Sequence, residues 1–282
     1  MRKSRVHFKE KRVVKKETEN LFDYVGMVAV HFVEKWVAYW HFTADIFRAL
    51  YQMLRGRAKT RHVDLLREID NAGPRALSIV CLISFMIGLI IAFVGSMQLK
   101  LFGAEIYVAA LVAISMTRIL GAVMTGIIMA GRTGASYAAE IGSMQANEEV
   151  DALKTMGVSP TEFLVLPRVI ALTITMPILT IVADIVAIFG GMCVAISIMN
   201  VSMAEYWKTT LDWITFNNFA IGVLHGWLFG WVIAIIGCWC GMRASRNADG
   251  IGRATTHAVV FGIVGCIVTT AILTLIFNWI DI

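Results

Sequence analysis

The chain has 282 residues, 58% of them hydrophobic and only 16% charged, with a mean hydropathy of +0.71. These values lie outside the range of soluble domains and identify an integral membrane protein. A net charge of +5 and a pI near 9.0 would suit a nucleic-acid binder, but the placement of the charge argues for a membrane surface instead.

Residues 1–20 hold eight Lys or Arg among three Glu, which predicts a solvated basic tail against an anionic lipid surface. Residues 21–76 read as interfacial helices. His41, Asp45, Arg48, Gln52 and Arg55 step by four and three residues, while Trp36, Trp40, Phe47, Leu50, Tyr51 and Leu54 fill another face. The adjacent Glu34 and Lys35 argue against a membrane span there, and the Trp and Tyr content favours headgroup depth. A shorter helix near Val63 to Asp70 follows, stopped by Asn71-Ala72-Gly73-Pro74.

Five windows are each long and apolar enough to cross about 30 Å of hydrocarbon. They run at roughly 77–99, 105–130, 169–199, 216–241 and 257–280. Of 25 Lys and Arg, 22 fall on the side that holds the N-terminus, against Lys100 and Lys208 on the other and Arg118 within a span. That bias predicts a cytoplasmic N-terminus and a C-terminus outside. No cleavable signal peptide is visible in the charged opening stretch.

Between the second and third spans lies the one long polar passage, residues 131–168. Glu140, Glu148, Glu149, Asp151 and Lys154 crowd a helix whose apolar stripe is only Ile141, Met144, Val150 and Leu153, so it belongs outside the bilayer. Gly157 suits a left-handed C′ position, and Ser159-Pro160-Thr161-Glu162 offers an N-cap, a proline at N1 and a capping-box glutamate.

Polar side chains within the spans are few. Arg118 and Asp184 both fall near mid-membrane by count, where a charge faces a partner or a water-filled cavity. Two readings stay open: an Arg-Asp pair that fixes helix packing, or an Arg118 that contacts an anionic headgroup. His225 reads as a hydrogen-bonded packing residue more readily than as a proton relay. The fourth span carries Gly222, Gly226, Gly230, Gly237 and Gly241 on one arc, a small-residue seam for packing within a subunit or between two. Pro177 and the Gly190-Gly191 pair mark expected irregularities in the third span. Asn200-Val201-Ser202 fits a glycosylation sequon, but Ser202 with Glu205 also forms a capping box, the preferred reading; a short surface helix then runs from Met203 to about Leu211.

The five cysteines read as apolar fillers, with no metal site or disulfide. There is no GxxxxGK[ST], HExxH or GxSxG motif, so this chain is not expected to be an enzyme. Uphill transport would draw on a partner or an ion gradient.

The run GRTGASYAAEIGSMQANEEVDALKTMGVSP followed by PRVIA resembles the signature of MlaE-type permeases, the membrane subunits of MCE-associated ABC lipid transporters. The likeness continues through MPILTIVADIVAIFGG and ADGIGRATTHAVV. It implies an all-α polytopic membrane protein with an N-terminal interfacial amphipathic helix, five transmembrane helices and a cytoplasmic coupling helix. It also implies a homodimer in the bacterial inner membrane, two cytoplasmic ATPase subunits that hold the ATP and Mg, a periplasmic MCE-domain oligomer, and phospholipid as cargo.

By the same resemblance, Glu140, Met144, Glu148, Glu149 and Asp151 make the ATPase coupling contact. Arg118 belongs to the polar lining of the lipid pocket. Some members read Arg-Glu-Leu-Gly-Pro where this chain has Arg118-Ile119-Leu120-Gly121-Ala122, and Asp184 is the candidate for the missing carboxylate. The competing reading from another class is an ion-coupled carrier or channel with Arg118, Asp184 and His225 as relay.

Overall fold

The computed structural model describes residues 62–280 without interruption and, before them, residues 30, 33, 34, 36–53 and 55. The basic tail and the opening of the amphipathic segment lie outside the described residues. The chain divides between Arg48 and Ala49 into a small N-terminal unit and a large body. In the first unit residues 36–48 are helical, and Trp36, Trp40 and Phe47 are each at least half exposed, on the face expected at headgroup depth. Asp45 and Arg48 pair on that helix at 3.1 Å.

The body is helical, with no strand among the described residues. Helix α1 is His62–Ala72 and α2 is Pro74–Lys100. They are separated at Gly73, whose ψ of −85° is neither helical nor left-handed and which Pro74 follows; a Cβ there would press on the Ile69 carbonyl at 3.1 Å and on Thr175 at 3.2 Å. Helix α3 runs unbroken over Tyr107–Ala146, α4 is Glu149–Thr155 and α5 is Thr161–Met199. Then come α6 (Met203–Trp213), α7 (Phe216–Met242) and α8 (Ala248–Trp279). Five helical stretches are long and apolar enough to span a membrane, so the chain is an all-α polytopic membrane protein.

Helices α5 and α7 form the centre. Helices α1 and α2 pack along α5, α8 packs along α7 and α3, and α6 lies over the start of α3 and the far end of α5. Close approach is achieved with glycine. A Cβ added at Gly222 would fall 2.0 Å from the Thr117 carbonyl oxygen, and one at Gly230 would fall 2.7 Å from that of Leu172. The α7 seam is therefore spent inside the subunit, against α3 and α5, which resolves the choice left open by the sequence. Gly190 does the same for α5, since its Cβ would lie 2.4 Å from the Phe85 carbonyl on α2. The Gly190-Gly191 pair is thus a packing device in a continuous helix, not the irregularity expected of it.

The surface helix α6 appears where predicted. Ser202 Oγ accepts from the Glu205 N–H at 3.2 Å, and Tyr206 is fully buried with its hydroxyl donating to the Ile188 carbonyl at 3.0 Å. Burial raises that phenol above its ordinary range, so it stays a donor at any physiological pH. An unforeseen cap starts α8, where Asn247 Oδ1 accepts from Gly250 N–H at 2.7 Å.

Candidate functional site

Residues 131–146 continue α3 without a break, so the helix of the second span runs on past residue 130 into the polar passage. Polar residues signal water, not an end of helix, and the backbone passes from apolar to polar surroundings through a π turn at Ala130–Gly134. A second π turn, Met116–Leu120, holds Arg118, and a third, Thr161–Val165, opens α5. Such widened turns cost regular hydrogen bonding and are frequent at functional positions. Both arginines of α3 lie inside one.

At this polar end the organising side chain is Arg168, which enters the sequence reading only as one of the 22 basic residues on the side of the N-terminus. Its side chain is 6% exposed. Nη2 donates to Glu140 Oε2 at 2.9 Å, Nη1 to the Leu164 carbonyl at 2.9 Å, and Nε lies 3.5 Å from Glu68 Oε1. Its guanidinium also stands 5.7 Å from the Tyr137 ring centroid. One buried cation so joins α1, α3 and α5. The signal in the sequence is an arginine behind Pro167 at the head of an apolar span, where a charge needs partners; Glu68 and Glu140 are distant in sequence and unrecognisable as those partners.

The acidic residues separate into two groups. Glu140 belongs to the Arg168 network and accepts from Ser136 at 2.8 Å, so it is held inside the subunit. Met144 is half-buried and lines a cleft with Pro167 and Arg168. Glu148, Glu149 and Asp151 lie at the exposed α4. Glu148 takes a left-handed backbone, φ 61°, which breaks the helix between α3 and α4. Arg246 reaches over from the α7–α8 turn to Glu148 at 3.3 Å and also pairs with Asp151. The hydrogen bond from Lys154, then the nearby Lys154 and Arg246 charges, hold the Asp151 carboxyl below its ordinary range. Met156 is 66% exposed beyond α4, and Gly157 is left-handed (φ 70°) as expected. Ser159 does not cap with its side chain; its backbone carbonyl accepts from Phe163 N–H at 3.1 Å.

Within the spans, Arg118 and Asp184 do not pair. Arg118 donates through Nη1 to Asn218 Oδ1 at 3.1 Å, so its charged head reaches the first turn of α7, away from mid-membrane and toward the end opposite α4. Asp184 is 3% exposed and packs where a Cβ on Gly121 would be, with Oδ1 lacking a hydrogen-bond partner among the described residues. His225 is fully buried, its Nδ1 2.7 Å from the Ile221 carbonyl and its ring edge-on to Phe229. Each of the three is held by a different neighbour.

The family model described as Permease MlaE matches residues 65–276. The chain belongs to the MlaE permease family. Among curated relatives, a probable ABC transporter permease protein of Rickettsia typhi is 39% identical over 196 residues, 70% of this chain and 76% of that protein. One of Synechocystis is 30% identical over 227 residues, 80% and 84% of the two chains. Protein TRIGALACTOSYLDIACYLGLYCEROL 1, chloroplastic, of Arabidopsis thaliana is 28% identical over 235 residues, 82% of this chain and 65% of its own length.

The matched region of this MlaE permease contains the Arg168 network, α4 and Arg118. It is a transporter permease subunit, a transmembrane component. Among the described residues no group of His, Cys, Asp or Glu could hold a metal ion.

Proposed function

We propose that this permease is the membrane subunit of an ATP-driven transporter that moves phospholipid between the inner and outer membranes. It works as a homodimer in the inner membrane, with the N-terminus and α4 cytoplasmic and the C-terminus periplasmic. Two cytoplasmic ATPase subunits supply ATP and Mg chemistry, and a periplasmic oligomer of MCE-domain proteins receives or delivers the lipid.

The observation that carries the reading is Arg118. A half-buried guanidinium, set in a π turn of a membrane-spanning helix and bonded to Asn218, has the charge and geometry to bind a phosphate. The name of the Arabidopsis relative is that of a galactosyl diacylglycerol, a lipid. At the other end, exposed Glu148, Glu149 and Met156 form the surface best suited to receive an ATPase. Asp184 is the second candidate for the headgroup environment, one helix away.

The ion-coupled reading fares worse, because Arg118, Asp184 and His225 make no hydrogen bond to one another among the described residues. The deciding experiment quantifies lipid bound to purified wild type and to Arg118→Ala. Reduced phospholipid loading with intact ATPase assembly is the expected result, and loading equal to wild type overturns the assignment.

A further inference from the structure

Beside the Arg168 network lies a cleft of about 460 Å³, within the roughly 300–1,000 Å³ of small-ligand sites. It is walled by α1 and the first turn of α2 on one side and by the polar end of α3 on the other. Arg75 and Arg132, which line it, lie just outside the apolar windows 77–99 and 105–130, a position that suits headgroup depth.

Its lining carries both signs of charge. Arg75 is already paired with Asp70 at 3.1 Å. Arg132 has no carboxylate partner among the described residues; it donates to the Asn71 carbonyl at 3.1 Å, which aims it from its π turn into the cleft. Arg67 is exposed on α1 and forms no ion pair among the described residues. The carboxylates of Glu68 and Glu140 face the same space with their outer edges, Arg168 holding them from behind. Tyr137 lines the cleft, is 2% exposed, and its hydroxyl has no hydrogen-bond partner among the described residues.

A buried hydroxyl without a partner is costly, and two guanidinium groups beside two carboxylates are matched by a ligand that has both charges. We propose that this cleft binds the headgroup of a zwitterionic phospholipid from the leaflet at the polar end. Arg132, Arg67 and the Tyr137 hydroxyl take the phosphate, and Glu140 takes the ammonium group. The site is separate from Arg118, at the opposite end of α3. It rests on the proposed lipid transport only for the presence of lipid at both ends of the permease.

The test titrates the full chain, purified with its ATPase in mild detergent, with dioleoyl phosphatidylethanolamine and counts bound lipid by native mass spectrometry. Arg118→Ala serves as the background, so that the remaining binding reports this cleft. Adding Arg67→Gln or Arg132→Gln is expected to weaken that binding about tenfold, the scale of one lost charge-assisted hydrogen bond. Arg67 makes no fold-stabilising bond here, so its variant decides the matter if Arg132→Gln fails to assemble.

Lipid binding that is indifferent to Arg67→Gln overturns the proposal. So does displacement of the lipid by an equal concentration of inorganic phosphate, which would mark a site for soluble anions. If the transport reading alone is wrong, lipid loading is indifferent to Arg118→Ala while it still responds to Arg67→Gln.

Discussion

Arg168 on α5 donates to Glu140 on α3 at 2.9 Å from a side chain that is 6% exposed, while the glutamate remains 46% exposed. The pair ties the polar end of α3 to the head of α5. Through Glu68 the same guanidinium also reaches α1, so three helices meet at Arg168.

Replacing Arg168 with Leu leaves Glu68 and Glu140 without their cation and the Leu164 carbonyl without its extra donor. A loss of about 2–4 kcal/mol is expected, reduced from the fully buried case because Glu140 is half in water. Glu140→Gln keeps a hydrogen bond and costs about 1 kcal/mol. Denaturant unfolding in detergent reads both; an unchanged midpoint in Arg168→Leu contradicts the network.

Glycine at 222 is required by proximity. A methyl group placed there meets the Thr117 carbonyl at 2.0 Å, so Gly222→Ala forces α3 and α7 apart at the π turn that carries Arg118. We expect about 1–3 kcal/mol of destabilisation together with weaker lipid binding. Gly252→Ala, within α8 and with nothing inside 4 Å, is the control and should hold or slightly raise the melting temperature.

On α4 the Arg246 bridge to Glu148 and Asp151 is exposed and therefore sensitive to salt. The folded pKa of Asp151 lies below its unfolded value of about 3.9. Its contribution is therefore complete above that value and fades as pH falls through the lower, folded one. Hydrogen exchange of α4, corrected for intrinsic rates, should stay flat from neutral pH to about 5 and rise only in stronger acid. Loosening already at pH 6 would show that the bridge is not held by Asp151.

Charge reversal at Glu148 and Glu149 tests the surface that those residues present. ATP hydrolysis stimulated by the permease should fall several-fold, with the permease itself still folded, because like charges replace a complementary contact. Stimulated hydrolysis at the wild-type rate counts against α4 as the docking surface.

The spans, α1 and α6 were legible because hydropathy and capping are local properties. Ser202 and Gly157 act where their neighbours in sequence said they would. That the second span and the polar helix after residue 130 are one continuous α3 was not legible, since an apolar window measures the bilayer and not the helix, and a π turn leaves no composition signal. The Arg168 network joins residues 28 and 100 positions apart, counting from Glu140 and Glu68 to Arg168, and no local pattern contains it. Arg118 and Asp184 illustrate the same limit. Counting residues placed both at mid-membrane, but the long arginine side chain leans to Asn218, and Asp184 settles against Gly121.

The most direct test of ATP-driven lipid transport is mass spectrometry of what co-purifies with the tagged chain, expressed from its own chromosomal locus, in mild detergent. The account predicts a P-loop ATPase, an MCE-domain protein and bound phospholipid in one complex. A chain that emerges alone and free of lipid, under conditions that keep comparable complexes together, would contradict it and favour the alternative of an ion-coupled carrier.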